Sequence, residues 1–129
     1  MVVDSSALLA IIFLEPEAQR FAELIQACRT PLLCVANFLE ASILIESRRG
    51  IAKRDLFDAF IDQSGIRLEP VTRAQALIAR DAYRRFGRGN HPAGLNFGDC
   101  FAYALAKERN LPLLFKGDDF ARTDLRPAP

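Results

Sequence analysis

Residues 95–106 read LNFGDCFAYALA, and this stretch constrains the fold more than any other part of the chain. Asn96 is a good N-cap, and Asp99 follows three residues later, where a carboxylate meets the free N–H groups of a first helical turn. Residues 100–106 are nearly all apolar, and a helix that is apolar on most faces is buried inside a domain. The stretch therefore predicts a central helix that begins with an acid, which is either a cap or part of a site.

Acidic residues stand at three other predicted ends of elements: Asp4, Glu40 and the pair Asp118 and Asp119. Asp4 stops the short apolar strand 2–3, Glu40 lies near the start of a helix, and the acidic pair follows a last apolar strand over residues 111–115. In open α/β sheets, ligands bind at the carboxyl ends of the strands. We therefore expect these acids to converge with Asp99 on one cleft.

The rest of the chain alternates short strands with helices. Strands are predicted over residues 2–3, 31–35, 65–71 and 111–115, and helices over residues 7–14, 17–27, 38–49, 53–63, 74–86 and 97–106. This alternation predicts an α/β fold with a mainly parallel sheet of four to five strands and helices on both sides. With 129 residues, half of them hydrophobic, we expect a single domain over residues 1–129.

Charge and hydropathy exclude several classes of protein. The formal net charge is +1, and the sequence has neither a polybasic tail nor an acidic block. No apolar run approaches the ~18 residues of a membrane span, and the first residues lack the pattern of a signal peptide. We therefore expect a cytoplasmic protein without a membrane segment.

Each acid also has a purely structural explanation. Asp99 and Asp4 could be helix caps, Glu40 could form a capping box with Asn37, and Gly-Asp-Asp often makes a turn. Glu40 is the hardest to explain in this way, because its helical neighbours are mostly apolar and a lone charge there costs several kcal/mol, in order of magnitude. One shared cause is a hard divalent metal such as magnesium or manganese, which relieves the repulsion between carboxylates.

Four segments together resemble a known family: residues 2–7 (VVDSSA), 37–41 (NFLEA), 95–106 (LNFGDCFAYALA) and 113–124 (LLFKGDDFARTD). They are similar to the PIN domain, and in particular to the VapC ribonuclease toxins of bacterial VapBC toxin–antitoxin modules. The resemblance extends over essentially the whole chain, in order and at the spacings of the family. It implies an α/β/α sandwich, RNA cleavage that depends on Mg²⁺ or Mn²⁺, a homodimer, and neutralisation by a cognate VapB antitoxin, with DNA contacted only through that antitoxin.

The resemblance also assigns roles to individual residues. Asp4, Glu40 and Asp99 match the three core acids, and the fourth falls in the pair Asp118 and Asp119, of which Asp119 is favoured. The metal contacts of the family correspond to Asp4 and Asp99, and Glu40, Asp119 or Asp118 could join them. Ser6 matches a small hydroxyl residue that organises the site beside the first aspartate.

Basic residues cluster just before the glycine-rich loop 87–95: Arg80, Arg84, Arg85, Arg88 and His91. They could hold RNA phosphates, or they could form only a solvated helix face with a basic end. Lys116, next to the acidic pair, could contact phosphate or balance charge. Apolar residues such as Phe38, Ile45, Phe57 and Phe60 could serve an antitoxin or dimer interface, although such residues are more often core.

Rival classes fit less well. A haloacid-dehalogenase-type phosphatase needs a second acid two positions after its first aspartate, and that position is Ser6. A response-regulator receiver needs an aspartate at the end of a middle strand, and none follows the strand 31–35. A non-catalytic RNA- or partner-binding domain with a structural metal site is the remaining alternative. The sequence leaves transfer, ribosomal and messenger RNA open as targets.

Overall fold

The computed structural model describes all residues 1–129, and its centre is a four-stranded parallel sheet. In chain order the elements are β1 Val2–Val3, α1 Ser5–Ile12, α2 Ala18–Ala27, β2 Leu32–Cys34, α3 Val35–Arg49, α4 Ile51–Gln63, β3 Arg67–Glu69, α5 Arg73–Phe86, α6 Phe97–Arg109, β4 Leu113–Leu114 and the 3-10 helix Phe120–Arg122. The strand order is β3-β2-β1-β4, and every neighbouring pair is parallel. The predicted fold class is confirmed.

The two faces of the sheet are covered by different helices, because alternate residues of a strand point to opposite faces. On one face, Val2 and its register partners Leu32 and Leu113 belong to a core cluster that includes residues of α5 and α6. On the other face, Val3 and Leu33 belong to a second cluster, with residues of α1, α2, α3 and α4. The fold is therefore the predicted α/β/α sandwich.

The sheet reverses its strand order beside β1. The chain passes from β1 through α1 and α2 to β2 on one side, and it reaches β4 on the other side only after α6. In open α/β sheets the ligand crevice opens beyond the carboxyl ends of the strands at such a reversal. Asp4 directly follows β1, and residues 115–119 directly follow β4. The sheet thus places both groups at the same crevice.

Three predicted helix starts are wrong, for the same physical reason. α1 begins at Ser5 instead of residue 7, α3 at Val35 instead of residue 38, and α4 at Ile51 instead of residue 53, because at most one residue separates each helix from the element before it. Asn37 is therefore inside the first turn of α3 and completely buried, so it does not cap this helix.

The apolar pattern of residues 53–63 predicts an inward face of Leu56, Phe57, Phe60 and Ile61, and the register of α4 corrects this prediction for Leu56. Phe57 and Ile61, one turn apart, form the buried face of α4, whereas Leu56 points away and is 59% exposed. Phe38 stacks on Phe57 with a centroid separation of 5.6 Å, so these apolar residues belong to the core. No helix in this structure combines the length and the apolar composition that crossing a membrane requires.

Candidate active site

Asp4 is a buried carboxylate at the end of the central strand. It is the N-cap of α1, and its Oδ2 accepts a hydrogen bond of 3.0 Å from the backbone N–H of Ser6. Its Oδ1 is buried and has no hydrogen-bond partner. Burial raises the pKa of Asp4 to about 7, and the charges of Asp99 and Glu40 add to the rise, although the hydrogen bonds from Ser6 oppose it. Capping therefore satisfies only one of its two oxygens.

Asp99 both caps α6 and lies within the electrostatic reach of the other acids. Its backbone N–H donates to Asn96 Oδ1 at 2.9 Å, and the backbone N–H of Asn96 donates to Asp99 Oδ2 at 3.0 Å, which completes a capping box. Burial raises the pKa of Asp99 to about 6, the nearby charges of Asp119 and Glu40 raise it further, and Asn96 and Arg88 lower it. The predicted cap is present, but its hydrogen bond does not offset the effects of burial and of the neighbouring acids on the pKa of Asp99.

Glu40 is held at the crevice by contacts from two elements. Its Oε1 accepts a hydrogen bond of 2.6 Å from Ser5 Oγ and one of 3.3 Å from Asn37 Nδ2. The same Asn37 amide donates to the backbone carbonyl of Gly98 at 2.9 Å. The proposed capping box between Asn37 and Glu40 is wrong, since Asn37 lies within α3; it positions the Glu40 side chain instead.

Gly98 makes room for this carboxylate. A Cβ atom at position 98 would overlap the Glu40 carboxyl group, and a glycine within a helix otherwise costs stability. Ser5, Asn37 and Gly98 were not predicted from the sequence as site residues. The only available signals were a second hydroxyl beside Asp4, an amide one helical turn before Glu40, and a glycine inside an alanine-rich helix.

The last acidic pair lies at the mouth of the crevice. Asp118 and Asp119 follow β4 and are both exposed, and Asp119 directly precedes the 3-10 helix. Of the two, Asp119 is the one whose charge raises the pKa of Asp99. This proximity supports the choice of Asp119 as the fourth acid.

Ser6 connects the ends of two neighbouring strands. Its backbone N–H donates to Asp4, and its Oγ accepts a hydrogen bond of 3.0 Å from the backbone N–H of Lys116, the second residue after β4. Ser6 therefore fixes the segment that leads to the acidic pair relative to the carboxylate after β1. This placement agrees with the organising role that the resemblance assigns to Ser6.

The predicted basic residues fall into two groups. Arg84 and Arg85 pair with Asp81 at 3.0 and 3.7 Å, and the Lys116 ammonium pairs with Glu15 and Glu17. Arg80 and Arg88, in contrast, are exposed and take part in no ion pair.

Of the predicted basic residues, only these two line the cavity beside the start of α6. Arg80 and Arg88 line one cavity together with Asn96, the N-cap of α6, and Arg88 lowers the pKa of Asp99. The imidazole Nδ1 of His91 accepts a hydrogen bond of 3.0 Å from the backbone N–H of Ala93, so His91 shapes the loop.

The donor set suits a hard cation. All the candidate ligands are carboxylate oxygens, and the buried Oδ1 of Asp4 lacks any partner. No group of three or more Asp, Glu, His or Cys side chains is arranged so that it could hold a metal ion. Mg²⁺ commonly keeps several waters and uses one or two protein carboxylates, so Asp4 and Asp99 would be sufficient ligands.

Comparison with known proteins identifies the family. Residues 1–125 match the family model of the PIN domain. The chain is 45% identical over 125 residues to Ribonuclease VapC30 of Mycobacterium tuberculosis, with 97% of this chain and 95% of the relative covered. It is also 45% identical over 125 residues to Ribonuclease VapC of Mycolicibacterium smegmatis, with 97% of each chain covered. This chain therefore belongs to the PIN-domain family and, within it, to the VapC ribonucleases.

A solved structure shows the same fold. The crystal structure of Mycobacterium tuberculosis VapC20, described as a sarcin-ricin loop cleaving toxin, aligns with a TM-score of 0.80. The alignment covers 98% of this chain and 97% of VapC20, at 16% sequence identity. The predicted PIN-like sandwich and the predicted relationship to VapC toxins are both confirmed.

Proposed function

We propose that this chain is a Mg²⁺-dependent endoribonuclease toxin of a type II toxin–antitoxin system, in which Mn²⁺ substitutes for Mg²⁺. The observation that carries the proposal is the Asp4 carboxylate, which is buried, has an unpartnered Oδ1 and is surrounded by the charges of Asp99 and Glu40. An ionised carboxylate in such a place costs on the order of several kcal/mol unless a cation compensates it. A metal-dependent hydrolase needs that arrangement, whereas a structural cap does not.

Asp4 and Asp99 are the proposed metal ligands, since both pKa values are raised by burial and by neighbouring acids. The ionised form of each carboxylate would be stabilised by a bound cation, which would offset the repulsion between them. When bound, Mg²⁺ supplies a Lewis acid for a non-bridging phosphate oxygen and lowers the pKa of a water molecule. Asp119, or its neighbour Asp118, would hold a second ion or its waters at the mouth.

Glu40 would orient the attacking water. Ser5 and Asn37 both donate hydrogen bonds to its Oε1. These two bonds fix the orientation of the carboxylate and therefore the direction of its Oε2. A carboxylate held in this way accepts a hydrogen bond from water in a defined direction, which aligns the water for in-line attack. Because water attacks in place of the ribose 2′-hydroxyl, the products would carry 5′-phosphate and 3′-hydroxyl ends.

Arg80 and Arg88 are the proposed phosphate contacts among the basic residues, since they have no ionic partner and line the cavity beside the first turn of α6. Neutralising RNA phosphates offsets the repulsion that the acidic site exerts on the substrate. Transfer, ribosomal and messenger RNA are the candidate targets. The sarcin-ricin loop named for VapC20 belongs in the substrate panel as one defined ribosomal RNA.

A second copy of this chain and a VapB-type antitoxin are the proposed protein partners. Leu39 and Ile43, one turn apart on α3, are 58% and 55% exposed, and Phe97 at the start of α6 is 79% exposed. These residues line one apolar groove beside Glu40. Contiguous apolar surface of this kind marks protein interfaces. We assign this groove to the homodimer; the antitoxin would link the complex to DNA.

The proposal is tested by incubating the antitoxin-free protein with total RNA and with the defined substrates, with Mg²⁺, Mn²⁺ or EDTA. The Asp99→Asn variant serves as the inactive control, and Asp62→Asn, an exposed acid on α4, serves as the matched active control. We expect discrete fragments with 5′-phosphate ends, only in the presence of metal and of Asp99. The alternative of a non-catalytic binding domain predicts RNA retention without fragments under every condition.

A further inference from the structure

A cavity of about 560 Å³ lies between α5 and α6, next to the acidic crevice. Most of its lining is apolar, from Ala76, Ala79, Phe97, Cys100 and Phe101. Its remaining lining residues are Arg80, Tyr83, Arg88 and Asn96. This combination of a large apolar interior and a few polar groups is typical of a ligand site, and the proposed metal ligands do not line it.

The charge at this cavity is positive. Arg80 on α5 and Arg88 in the loop after it are exposed and unpaired, whereas Arg84 and Arg85 in the last turn of α5 are held by Asp81. Arg88 lines the cavity together with Asn96, the N-cap of the helix whose first turn carries Asp99. An anion held by Arg88 would therefore lie between the cavity and the acidic crevice.

The aromatic wall of the cavity is held in place. Gly87 packs so closely on Tyr83 that a Cβ at position 87 would overlap the Tyr83 carbonyl and approach its ring to within 2.9 Å. The next residue, Arg88, is fixed by a 2.9 Å hydrogen bond from its backbone N–H to the carbonyl of Leu95. Tyr83 and Arg88 are thus positioned by the backbone where α5 ends and the loop begins.

One polar group in the cavity is free to donate a hydrogen bond to a ligand. Asn96 uses its Oδ1 as the acceptor of the α6 capping box. Its Nδ2 group makes no hydrogen bond within the chain, and Asn96 lines the cavity. A hydrogen-bond donor beside an aromatic wall matches the acceptor edge of a nucleobase.

We propose that this cavity receives one unpaired base of the RNA, from a nucleotide adjoining the cleaved bond, with Arg80 and Arg88 holding the flanking phosphates. The proposal rests on the proposed ribonuclease function and adds a specificity site to it. A flat aromatic base fits the apolar interior, and its own phosphate fits the arginine rim. An apolar peptide side chain would fit the interior too, but it would leave both guanidinium groups unmatched, so the charges favour a nucleotide.

The test uses a cleaved RNA oligonucleotide in which each nucleotide flanking the cleaved bond is replaced in turn by an abasic ribose. We expect the abasic change at one of the two positions to lower kcat/KM about ten-fold or more, the size of a lost base–aromatic stack. Tyr83→Leu should lower kcat/KM for the intact RNA by a similar factor and respond little to the abasic change. Tyr83→Phe keeps the ring and should retain both the rate and the response.

Leu77→Ala is the matched control, because Leu77 is exposed on α5 outside the cavity lining. It should cleave intact and abasic RNA as the unchanged protein does. Equal cleavage of all RNAs by the unchanged protein, or no effect of Tyr83→Leu on either RNA, would overturn the base pocket while leaving the ribonuclease function intact; the cavity would then belong to a protein partner. Failure to cleave any RNA would overturn both proposals.

Discussion

The side-chain amide of Asn37 donates a 2.9 Å hydrogen bond to the backbone carbonyl of Gly98, and this bond fixes α3 against the first turn of α6. The same amide reaches Glu40 at 3.3 Å. Glu40 and Asp99 lie on these two helices, so one buried amide sets the relative position of two acids that are 59 residues apart (99 − 40) in the chain. The site is therefore a property of helix packing as much as of the acids themselves.

Gly98→Ala should damage the site through Glu40. The new methyl group would overlap the Glu40 carboxylate, so we expect reduced cleavage and a loss of about 1–3 kcal/mol in the free energy of unfolding. In a Glu40→Ala background the overlap disappears, and the higher helix propensity of alanine should make Gly98→Ala neutral or stabilising by up to ~1 kcal/mol. Chemical denaturation of the unchanged protein, Gly98→Ala, Glu40→Ala and the double variant measures the coupling energy between positions 98 and 40. Equal effects in both backgrounds would show that Glu40 does not occupy this position.

The metal-free protein should lose stability as the pH rises from about 4 to 7. The pKa of Asp4 is about 7 in the folded protein, well above its ordinary value of 3.8, so the unfolded chain releases this proton first. The stability that protonated Asp4 provides is complete below pH 4 and is lost as the pH rises through 7. The expected loss is on the order of 2–4 kcal/mol.

Asp4→Asn isolates this effect. The variant should be more stable than the unchanged protein at pH 8 without metal, should lack the corresponding part of the pH slope, and should gain little from Mg²⁺. Asp62→Asn, a change at an exposed acid on α4, is the control and should keep the slope. Urea denaturation at several pH values, with EDTA or with Mg²⁺, measures the stability at pH 8, the pH slope and the gain from Mg²⁺ for each protein. A slope that persists unchanged in Asp4→Asn would contradict the assignment.

The two groups of arginines should differ in RNA binding. Arg88→Gln and Arg80→Gln should weaken binding several-fold and reduce its salt dependence by about one counterion each, because each removes one free phosphate contact. Arg84→Gln should change both quantities much less, since Arg84 is paired with Asp81. Fluorescence anisotropy with single-stranded RNA at several salt concentrations distinguishes the variants. Equal losses for Arg84 and Arg88 would indicate a diffuse basic surface.

A charge in the apolar groove of α3 should separate the protomers. Ile43→Asp places a carboxylate among Leu39 and Phe97, where a homodimer would bury it without a partner. We expect a monomer by light scattering on a sizing column. Leu56→Asp, at a similarly exposed position on α4, should remain a dimer. If both variants keep the oligomeric state of the unchanged protein, the interface lies elsewhere.

The acids were predictable because each follows a local signal, an apolar strand or a helix start, and the α/β alternation implied that strand ends meet. The pairing of Arg84 and Arg85 with Asp81 also follows from helical spacing, at i+3 and i+4. The role of Asn37 did not follow, since β2 passes into α3 without a capping side chain that would mark the boundary. The contact between Ser5 and Glu40 joins residues 35 positions apart and exists only after packing.

A divalent cation shared by Asp4 and Asp99 is the feature on which the proposed function depends. Anomalous diffraction from crystals soaked in Mn²⁺ tests it most directly. We predict an anomalous peak about 2.0–2.3 Å from a carboxylate oxygen of each residue, with the Oδ1 of Asp4 as one ligand, and its absence in crystals of Asp4→Asn. An anomalous peak confined to the exposed acids, or no ordered ion in crystals at neutral or higher pH, would contradict the metal site and with it the hydrolytic mechanism.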